Sequence, residues 1–220
     1  MNPRLTELNK NEILLYLGHR GQEIDAALDE QIDRAIAAVC RASRPALVER
    51  HFPVTNGQIE SLTLEGQDIA KLLKDCHEAI IFAATLGTDV ERLLMRTEVL
   101  NMSDALIMDA CASTAIENVC NNYEQDLKSE TASRGSFLTD RFSPGYGDLP
   151  IACQNLLCSA LDTARNIGLT VTRSNIMVPR KSVTAIIGIA DREQEHRKPG
   201  CESCSMFRTC PYRKQQRSCH

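Results

Sequence analysis

Residues 141–150, with the sequence Arg-Phe-Ser-Pro-Gly-Tyr-Gly-Asp-Leu-Pro, constrain the fold of this 220-residue chain more than any other stretch. Two prolines and two glycines exclude a helix interior, because proline removes a donor and glycine raises the entropic cost. A helical pattern follows at once. The stretch is therefore predicted to be a shaped loop whose following helix turns free N–H groups toward a ligand. An ordinary turn with Tyr146 packed on the core is the alternative.

Periodic patterns along the rest of the chain predict an α+β fold. Helical spacing is found in residues 11–18, 25–42, 69–73, 88–99, 104–128 and 151–167, and short β-type runs in 46–54, 58–64, 79–86, 169–171, 176–178 and 182–190. Asn56-Gly57, between the first two β-type runs, is typical of a hairpin. Strands at both ends around a block of helices favour a mainly antiparallel sheet.

Individual residues predict where the helices begin, end and face. Thr88 and Glu91 have the spacing of a capping box, and Ser103 is expected to cap the next helix. That helix is the longest, and Leu106 is among the residues expected to point inward. Gly168 is well placed to end helix 151–167.

Composition indicates a globular protein without a membrane span. Apolar residues make up 43% of the chain and charged residues 25%. No apolar run approaches the roughly 20 residues of a membrane span, and the N-terminus lacks the apolar region of a signal peptide. We therefore expect a cytoplasmic protein with no membrane partner. The net charge of −4 argues against nucleic acid as a partner.

Ten cysteines divide into two groups. Those at positions 40, 76, 111, 120, 153 and 158 lie in predicted helices or at their ends and are expected to be ordinary core residues. The other four are Cys201, Cys204, Cys210 and Cys219, close to the end of a basic tail. Such spacing in a reducing cell predicts a metal site, either zinc or an iron–sulfur cluster. A disordered tail with reactive thiols is the alternative.

Two blocks of residues resemble a known family. Arg-x-Ser-Pro-Gly-Tyr-Gly-Asp at 141–148, followed by a helix and by Pro-Arg-Lys-Ser-Val-Thr-Ala at 179–185, is similar to the activation (reactivation) domain of cobalamin-dependent methionine synthase. It resembles the free-standing proteins related to that domain more closely. The resemblance extends from about residue 11 to about residue 191, and its specificity rests on residues 141–150 and 177–188. It implies a twisted sheet flanked by helices, with an activation-like domain at 1–192 and a Cys-rich basic tail at 193–220.

The resemblance also implies that the loop binds S-adenosylmethionine (AdoMet). Arg141 would hold the ligand's carboxylate with two hydrogen bonds, and Gly145 would let the backbone approach closely. Tyr146 would place its ring near the sulfonium or adenine, and we assign it the catalytic role. Ser143 belongs to the same binding set. Asp148 either binds the ligand's amino group or caps the helix that follows, and its position favours the cap.

Three more residues complete the predicted site. Glu117 matches a glutamate that contacts the ligand in the family, although the solvent side of an amphipathic helix is the alternative. Ile187, followed by Gly188, stands where the family carries a tyrosine that helps to hold the ligand. Isoleucine supplies neither ring nor hydroxyl, which leaves affinity and ligand choice open. The family's acidic ligand residue near the start of the domain has no counterpart here.

The implied function is reductive remethylation of a corrinoid. The domain presents AdoMet to oxidised cobalamin while an electron donor supplies an electron, and proximity replaces a chance encounter. Lacking candidate homocysteine, folate and cobalamin domains, this chain is expected to be a non-autonomous component acting in trans on a cobalamin-dependent methionine synthase or another corrinoid protein. Two alternatives stay open: a corrinoid-protein docking or assembly subunit that does not use AdoMet, and a small metal or iron–sulfur redox protein centred on the tail.

Overall fold

A computed structural model describes residues 3–19, 21 and 23–194 of the chain. Within these ranges the helices are α1 (Lys10–Tyr16), α2 (Ala26–Ala42), α3 (Gln67–Leu72), α4 (Thr88–Leu100), α5 (Met102–Ser133), α6 (Cys153–Leu161) and α7 (Thr163–Ile167). The strands are β1 (Ala46–Thr55), β2 (Gln58–Ile59), β3 (Cys76–Thr85), β4 (Phe137–Leu138), β5 (Thr170–Val171), β6 (Met177–Val178) and β7 (Ser182–Ala190). The predicted α+β fold is confirmed.

Five strands form the main sheet, in the order β2-β1-β3-β7-β4. β1 and β2 pair antiparallel, as do β4 and β7, with Leu138 opposite Ile189. A separate antiparallel pair joins β5 and β6. The inner strands β3 and β7 are buried along most of their length, which accounts for their nearly unbroken apolar sequences.

The chain divides into two compact units. Unit 1 contains the residues up to Val48 together with Ala83–Leu127 and Asp162–Val183, and unit 2 contains Glu49–Phe82, Lys128–Leu161 and the residues from Thr184 on. Buried apolar side chains of unit 1 include Ile13, Ile32, Val39, Leu86, Val90, Leu94 and Val119. Those of unit 2 include Ile69, Leu73, Ile80, Ile81, Phe82, Phe142, Leu149, Leu157 and Ile186. Each unit therefore buries apolar residues of its own.

Two predicted helix caps are wrong. The N-cap of α4 is Gly87, which makes no side-chain cap bond, while the Glu91 carboxylate accepts hydrogen bonds from the backbone N–H and the Nε of Arg180 at 2.8 and 2.6 Å. The side chain of Asn101, rather than Ser103, accepts from the first amides of α5. At α5 the side chain of Asn101 replaces the expected cap, whereas at α4 no side chain does, because Glu91 is bound to Arg180 instead.

Other expectations fail or hold at single residues. The predicted helix 151–167 is two helices, because Asp162 adopts a left-handed φ of 46° between α6 and α7. Leu106 is 63% exposed and not inward. The Asn56-Gly57 turn is confirmed, with both residues at positive φ, and Gly168 ends α7 in the left-handed conformation. No helix in the described ranges is long and apolar enough to cross a membrane.

Buried thiols should make the stability of the protein depend on alkaline pH. Burial raises the pKa of Cys76 to about 11 and that of Cys111 to about 12, from an ordinary value of 9.0. The folded state therefore keeps protons that the unfolded state releases above pH 9. The stability contributed by the neutral thiols is complete below about pH 9 and is lost as the pH rises toward 11 and 12.

We expect the free energy of unfolding to fall more steeply between pH 9 and 10.5 in the wild type than in Cys111→Ala. One fully shifted group changes the slope by about 1.4 kcal/mol per pH unit. Denaturant titrations at several pH values measure it, and the lysine and tyrosine titrations that both proteins share cancel in the comparison. Equal slopes of the unfolding free energy against pH in the two proteins would contradict the raised pKa of Cys111, whatever the absolute stability of the variant.

Candidate functional site

The predicted loop begins as a short extension of the sheet in unit 2. Phe142 pairs with Ile186 on β7: its N–H donates to the Ile186 carbonyl at 2.9 Å, and the Ile186 N–H donates back at 2.8 Å. Because Leu138 faces Ile189 and Phe142 faces Ile186, Asp140 and Arg141 both fall opposite Ile187, as in a β-bulge. Phe142 and Ile186, one from each of the two blocks that carried the family resemblance, are thus neighbours, although they lie 44 positions apart in the chain.

Beyond this pair the loop folds through consecutive turns. The Tyr146 N–H donates to the Ser143 carbonyl at 3.2 Å, and the Gly145 and Leu149 amides close two further turn bonds. Gly145 and Gly147 have φ of 91° and 54°, which favour glycine. Leu149 is buried, whereas Tyr146 is 50% exposed. The loop therefore holds Tyr146 at the surface, which rejects the alternative of a tyrosine packed on the core.

The Asp148 carboxylate caps a helix, but not the expected one. Its two oxygens accept hydrogen bonds from the backbone N–H groups of Gln67 and Asp68, at 2.7 and 3.0 Å. These are the first residues of α3, whose own N-cap, Gly66, has no side chain to offer. The prediction that Asp148 caps the helix after the loop is therefore wrong, because α3 offers it two unpaired amides across the fold.

Close packing against α3 also accounts for a glycine in the loop. A Cβ on Gly147 would collide with the Asp68 carboxylate oxygen, and one on Gly66 would meet an Asp148 oxygen at 2.8 Å. Each aspartate thus occupies the space that the opposite glycine leaves open. The loop and the start of α3 form one interlocked element in unit 2.

The helix after the loop does not present free amides to a ligand. α6 begins at Cys153, and the N–H groups of Cys153, Gln154 and Asn155 donate to the carbonyls of residues 150–152 at 3.0–3.2 Å. The expectation of an open helix N-terminus beside the loop is therefore wrong.

The structure places the predicted site residues differently. Arg141 and Ser143 are half-buried on the loop, beside the exposed Tyr146 and Gly145. Ile187 is fully buried within β7. Glu117 lies half-buried on α5 in unit 1, whereas the loop belongs to unit 2. The loop residues are brought together by their short separation in sequence, and the binding role of every member of the set stays a prediction.

Gly188 is a packing position in the described structure. A Cβ there would meet the Cys76 Sγ at 2.5 Å and side-chain carbons of Leu73 and Thr139 at 3.0 Å. Its N–H donates to the Thr139 hydroxyl at 2.8 Å, and its carbonyl accepts from the Thr139 N–H at 2.9 Å. Both of its backbone polar groups are therefore engaged within unit 2.

Sequence analysis missed an ionic network around the Pro-Arg-Lys turn of unit 1. Arg180 binds Glu91 and also reaches Glu98, and these bonds raise its pKa. Lys181 binds the Asp109 carboxylate and the Ser113 hydroxyl, both at 2.8 Å. The two cations were visible in the motif. Their partners lie some 70 to 90 residues away, so no local pattern could identify them.

The predicted metal ligands Cys201, Cys204, Cys210 and Cys219 lie outside the described residues. Among residues 3–19, 21 and 23–194 there is no group of three or more histidine, cysteine, aspartate or glutamate side chains that could hold a metal ion. The metal site of the tail stays a prediction.

Removing the Asp148 carboxylate should destabilise the protein through α3. Asp148→Ala leaves the amides of Gln67 and Asp68 without their acceptors, which costs about 0.5–2 kcal/mol for a lost cap. Asp148→Asn keeps one acceptor oxygen and should lose less. Urea unfolding of both variants measures the order. A wild-type midpoint for Asp148→Ala would show that the cap contributes nothing.

Gly188→Ala should destabilise unit 2 by overpacking, which costs about 1–3 kcal/mol in a tight core. Because the closest neighbour is the Cys76 Sγ, Cys76→Ala should relieve part of the strain. Thermal unfolding of the two single variants and the double variant completes a double-mutant cycle. We expect the double variant to lose less stability than the sum of the losses in the two single variants. Losses that simply add would show that the strain does not lie between Gly188 and Cys76.

Comparison with known proteins gives a structural likeness and no sequence match. No protein-family model matches the chain, and no curated protein matches it. A solved structure described as the MetH reactivation domain bound to AdoHcy is similar, with a TM-score of 0.63 and 13% sequence identity over 86% of this chain and 76% of that chain. At this identity the likeness establishes the fold. The chain therefore has the fold of the MetH reactivation domain, an α+β fold with a mostly antiparallel sheet.

Proposed function

We propose that the chain is an AdoMet-binding activation protein that supports reductive remethylation of a corrinoid on another protein, in the cytoplasm. The observation that carries the proposal is the loop held on β7: the Phe142–Ile186 pair fixes Arg141, and the turns that follow hold Tyr146 at the surface. The fold supports it, because the similar reactivation domain was solved with AdoHcy bound. AdoHcy is AdoMet without the transferred methyl group.

Each loop residue has a task in this proposal. Arg141 holds the ligand carboxylate with two parallel hydrogen bonds, which a lysine cannot reproduce. Gly145 lets the loop backbone approach the ligand closely, and Ser143 places its hydroxyl near the ligand. The exposed ring of Tyr146 lies against the sulfonium, where cation–π attraction contributes about 0.5–2 kcal/mol, and orients the methyl group. AdoMet supplies the methyl group, and the reduced corrinoid of the partner accepts it.

The remaining predicted residues join the proposal with smaller roles. Glu117 contributes a carboxylate for the ligand, and Gly188 keeps β7 close to its neighbours. The electron comes from a separate donor. Cys201, Cys204, Cys210 and Cys219 bind either zinc, which would be structural, or an iron–sulfur cluster, which would relay that electron.

A second function has an observation in its favour. Ile187, at the position where the family has a ligand-binding tyrosine, is fully buried. Its side chain therefore offers no surface to a ligand, and no ring or hydroxyl replaces the missing contact. A subunit that docks on a corrinoid protein without using AdoMet would need neither. The two functions differ in whether Arg141 matters for activity.

Substitution of Arg141 tests the proposal. We expect Arg141→Ala to lower AdoMet affinity at least tenfold, since a charge-assisted hydrogen bond contributes about 1.5–3 kcal/mol. The AdoMet affinity of Arg141→Lys should fall between those of the wild type and Arg141→Ala, because lysine keeps the positive charge but cannot donate two parallel hydrogen bonds. Isothermal titration calorimetry measures the affinities. Arg165→Ala, an exposed arginine on α7, is the matched control and should bind as the wild type does.

Remethylation of a holo methionine synthase by wild type and Arg141→Ala separates the two functions. Loss of remethylation with the variant supports AdoMet presentation by this loop. Remethylation that is equal in the two proteins, together with no AdoMet binding by the wild type, would replace the proposal with the docking function.

A further inference from the structure

The turn that carries Tyr146 is fixed on both sides by backbone bonds. The Tyr146 N–H donates to the Ser143 carbonyl at 3.2 Å, and its own carbonyl accepts from the Leu149 N–H at 3.1 Å. The Gly145 N–H donates to the Leu149 carbonyl at 2.9 Å, and Leu149 is buried. The backbone on either side of the exposed ring is therefore tied to a core residue.

The side chain of Ile151 lies beside this turn, on the side of Gly145 where a side chain would project. A Cβ on Gly145 would meet the Cδ1 of Ile151 at 3.3 Å and its Cβ at 4.0 Å. The first distance is closer than ordinary van der Waals contact between carbons, and the second is within it. Ile151 therefore packs on the turn at a point where the turn has no side chain of its own.

The backbone of Ile151 belongs to the start of α6, which is fixed in unit 2. Its carbonyl accepts from the Gln154 N–H at 3.1 Å, and the Pro150 carbonyl accepts from the Cys153 N–H at 3.0 Å. The side chains that anchor α6 in unit 2 are Gln154, Leu157, Cys158 and Leu161, all of them buried. Ile151 thus connects an anchored helix to a loop that faces solvent.

Exposure separates Ile151 from the core residues around it. Its side chain is 47% exposed, close to the 50% of Tyr146. Single exposed apolar residues are ordinary, so the exposure by itself carries no role. The contact with Gly145 does, because an exposed ring on a fixed backbone loses less freedom when it meets a ligand.

From these contacts we infer that Ile151 is a positioning residue. Its side chain braces the Gly145 turn against α6 and thereby fixes the direction in which the Tyr146 ring faces solvent. This role rests on the proposed function for the identity of the ligand, AdoMet. Ile151 acts on that ligand through Tyr146.

The branched side chain of isoleucine suits a brace. Two heavy atoms on its Cβ restrict the first side-chain torsion, so the Cδ1 is held on a stiff base. Ile151→Val removes only the Cδ1 that touches the turn, whereas Ile151→Ala removes everything beyond Cβ. The two variants should therefore loosen the turn to different degrees.

Fluorine NMR measures the position of the Tyr146 ring without any ligand. The chain has four tyrosines, so labelling with fluorotyrosine gives four signals, and Tyr146→Phe identifies the one that belongs to Tyr146. We expect Ile151→Ala to shift and broaden this signal and Ile151→Val to change it less. Ile176→Ala is the matched control, because it removes the same atoms from a 54% exposed isoleucine in unit 1.

Calorimetric titration with AdoMet then measures the consequence for binding. We expect Ile151→Ala to raise Kd about fivefold, which corresponds to about 1 kcal/mol and to the loss of one exposed cation–π contact. Ile151→Val should lie between Ile151→Ala and the wild type, and Ile176→Ala should bind as the wild type does. A purely structural role would lower the urea midpoint and leave the Tyr146 signal of the folded protein in place.

Two results would overturn the inference. They are a Tyr146 signal that Ile151→Ala leaves unchanged, and a wild-type Kd for AdoMet in a variant whose signal has moved. A moved signal in a protein that binds no AdoMet even as the wild type would leave the brace standing and remove the proposed function. Since Ile151→Val removes one methyl group from a half-exposed side chain, it keeps the test decisive should Ile151→Ala fold poorly.

Discussion

One carboxylate holds the candidate site in shape. Asp148 takes the first two amides of α3, and the glycines at 66 and 147 leave room for the aspartates that face them. This contact ties the turns after Phe142 to the start of α3, whereas loops with few ties to the fold sample many conformations. A recognition loop that must meet a ligand in one geometry benefits from such anchoring, because less order is lost on binding.

Local chemistry predicted the fold well and the long-range contacts poorly. The prolines and glycines of residues 141–150 located the loop. The turn predicted at Asn56-Gly57 and the helix end predicted at Gly168 were correct, because turn chemistry depends on neighbouring residues alone. Asp148 and Glu91 were each assigned to the nearest helix, yet their partners lie 80 to 89 residues away. A capping residue satisfies whichever free donor the tertiary fold brings nearest, and spacing along the chain carries no information about that donor.

The sequence predicted that β7 lies beside the loop, but it did not predict which residues of β7 are buried. The register at Phe142 and Ile186 makes neighbours of the two motif blocks, as their shared resemblance implied. The strand's alternation cannot show, however, which of its residues meets solvent, since β7 is buried nearly throughout. Ile187 and Gly188 are therefore explained by packing, the first as a core side chain and the second by the Cys76 sulfur beside it. In the proposed function, β7 therefore contributes no side chain at Ile187, and the binding of the ligand is assigned to Arg141 and Tyr146 on the loop.

The error at Leu106 has the same origin. α5 has 32 residues and is apolar on most sides, because its middle part is buried almost all round. Hydrophobic periodicity marks a face only where one side of a helix meets water, so it cannot distinguish a core leucine from one kept for a partner. Leu106 and Met102 are apolar at positions where nothing in the described chain covers them.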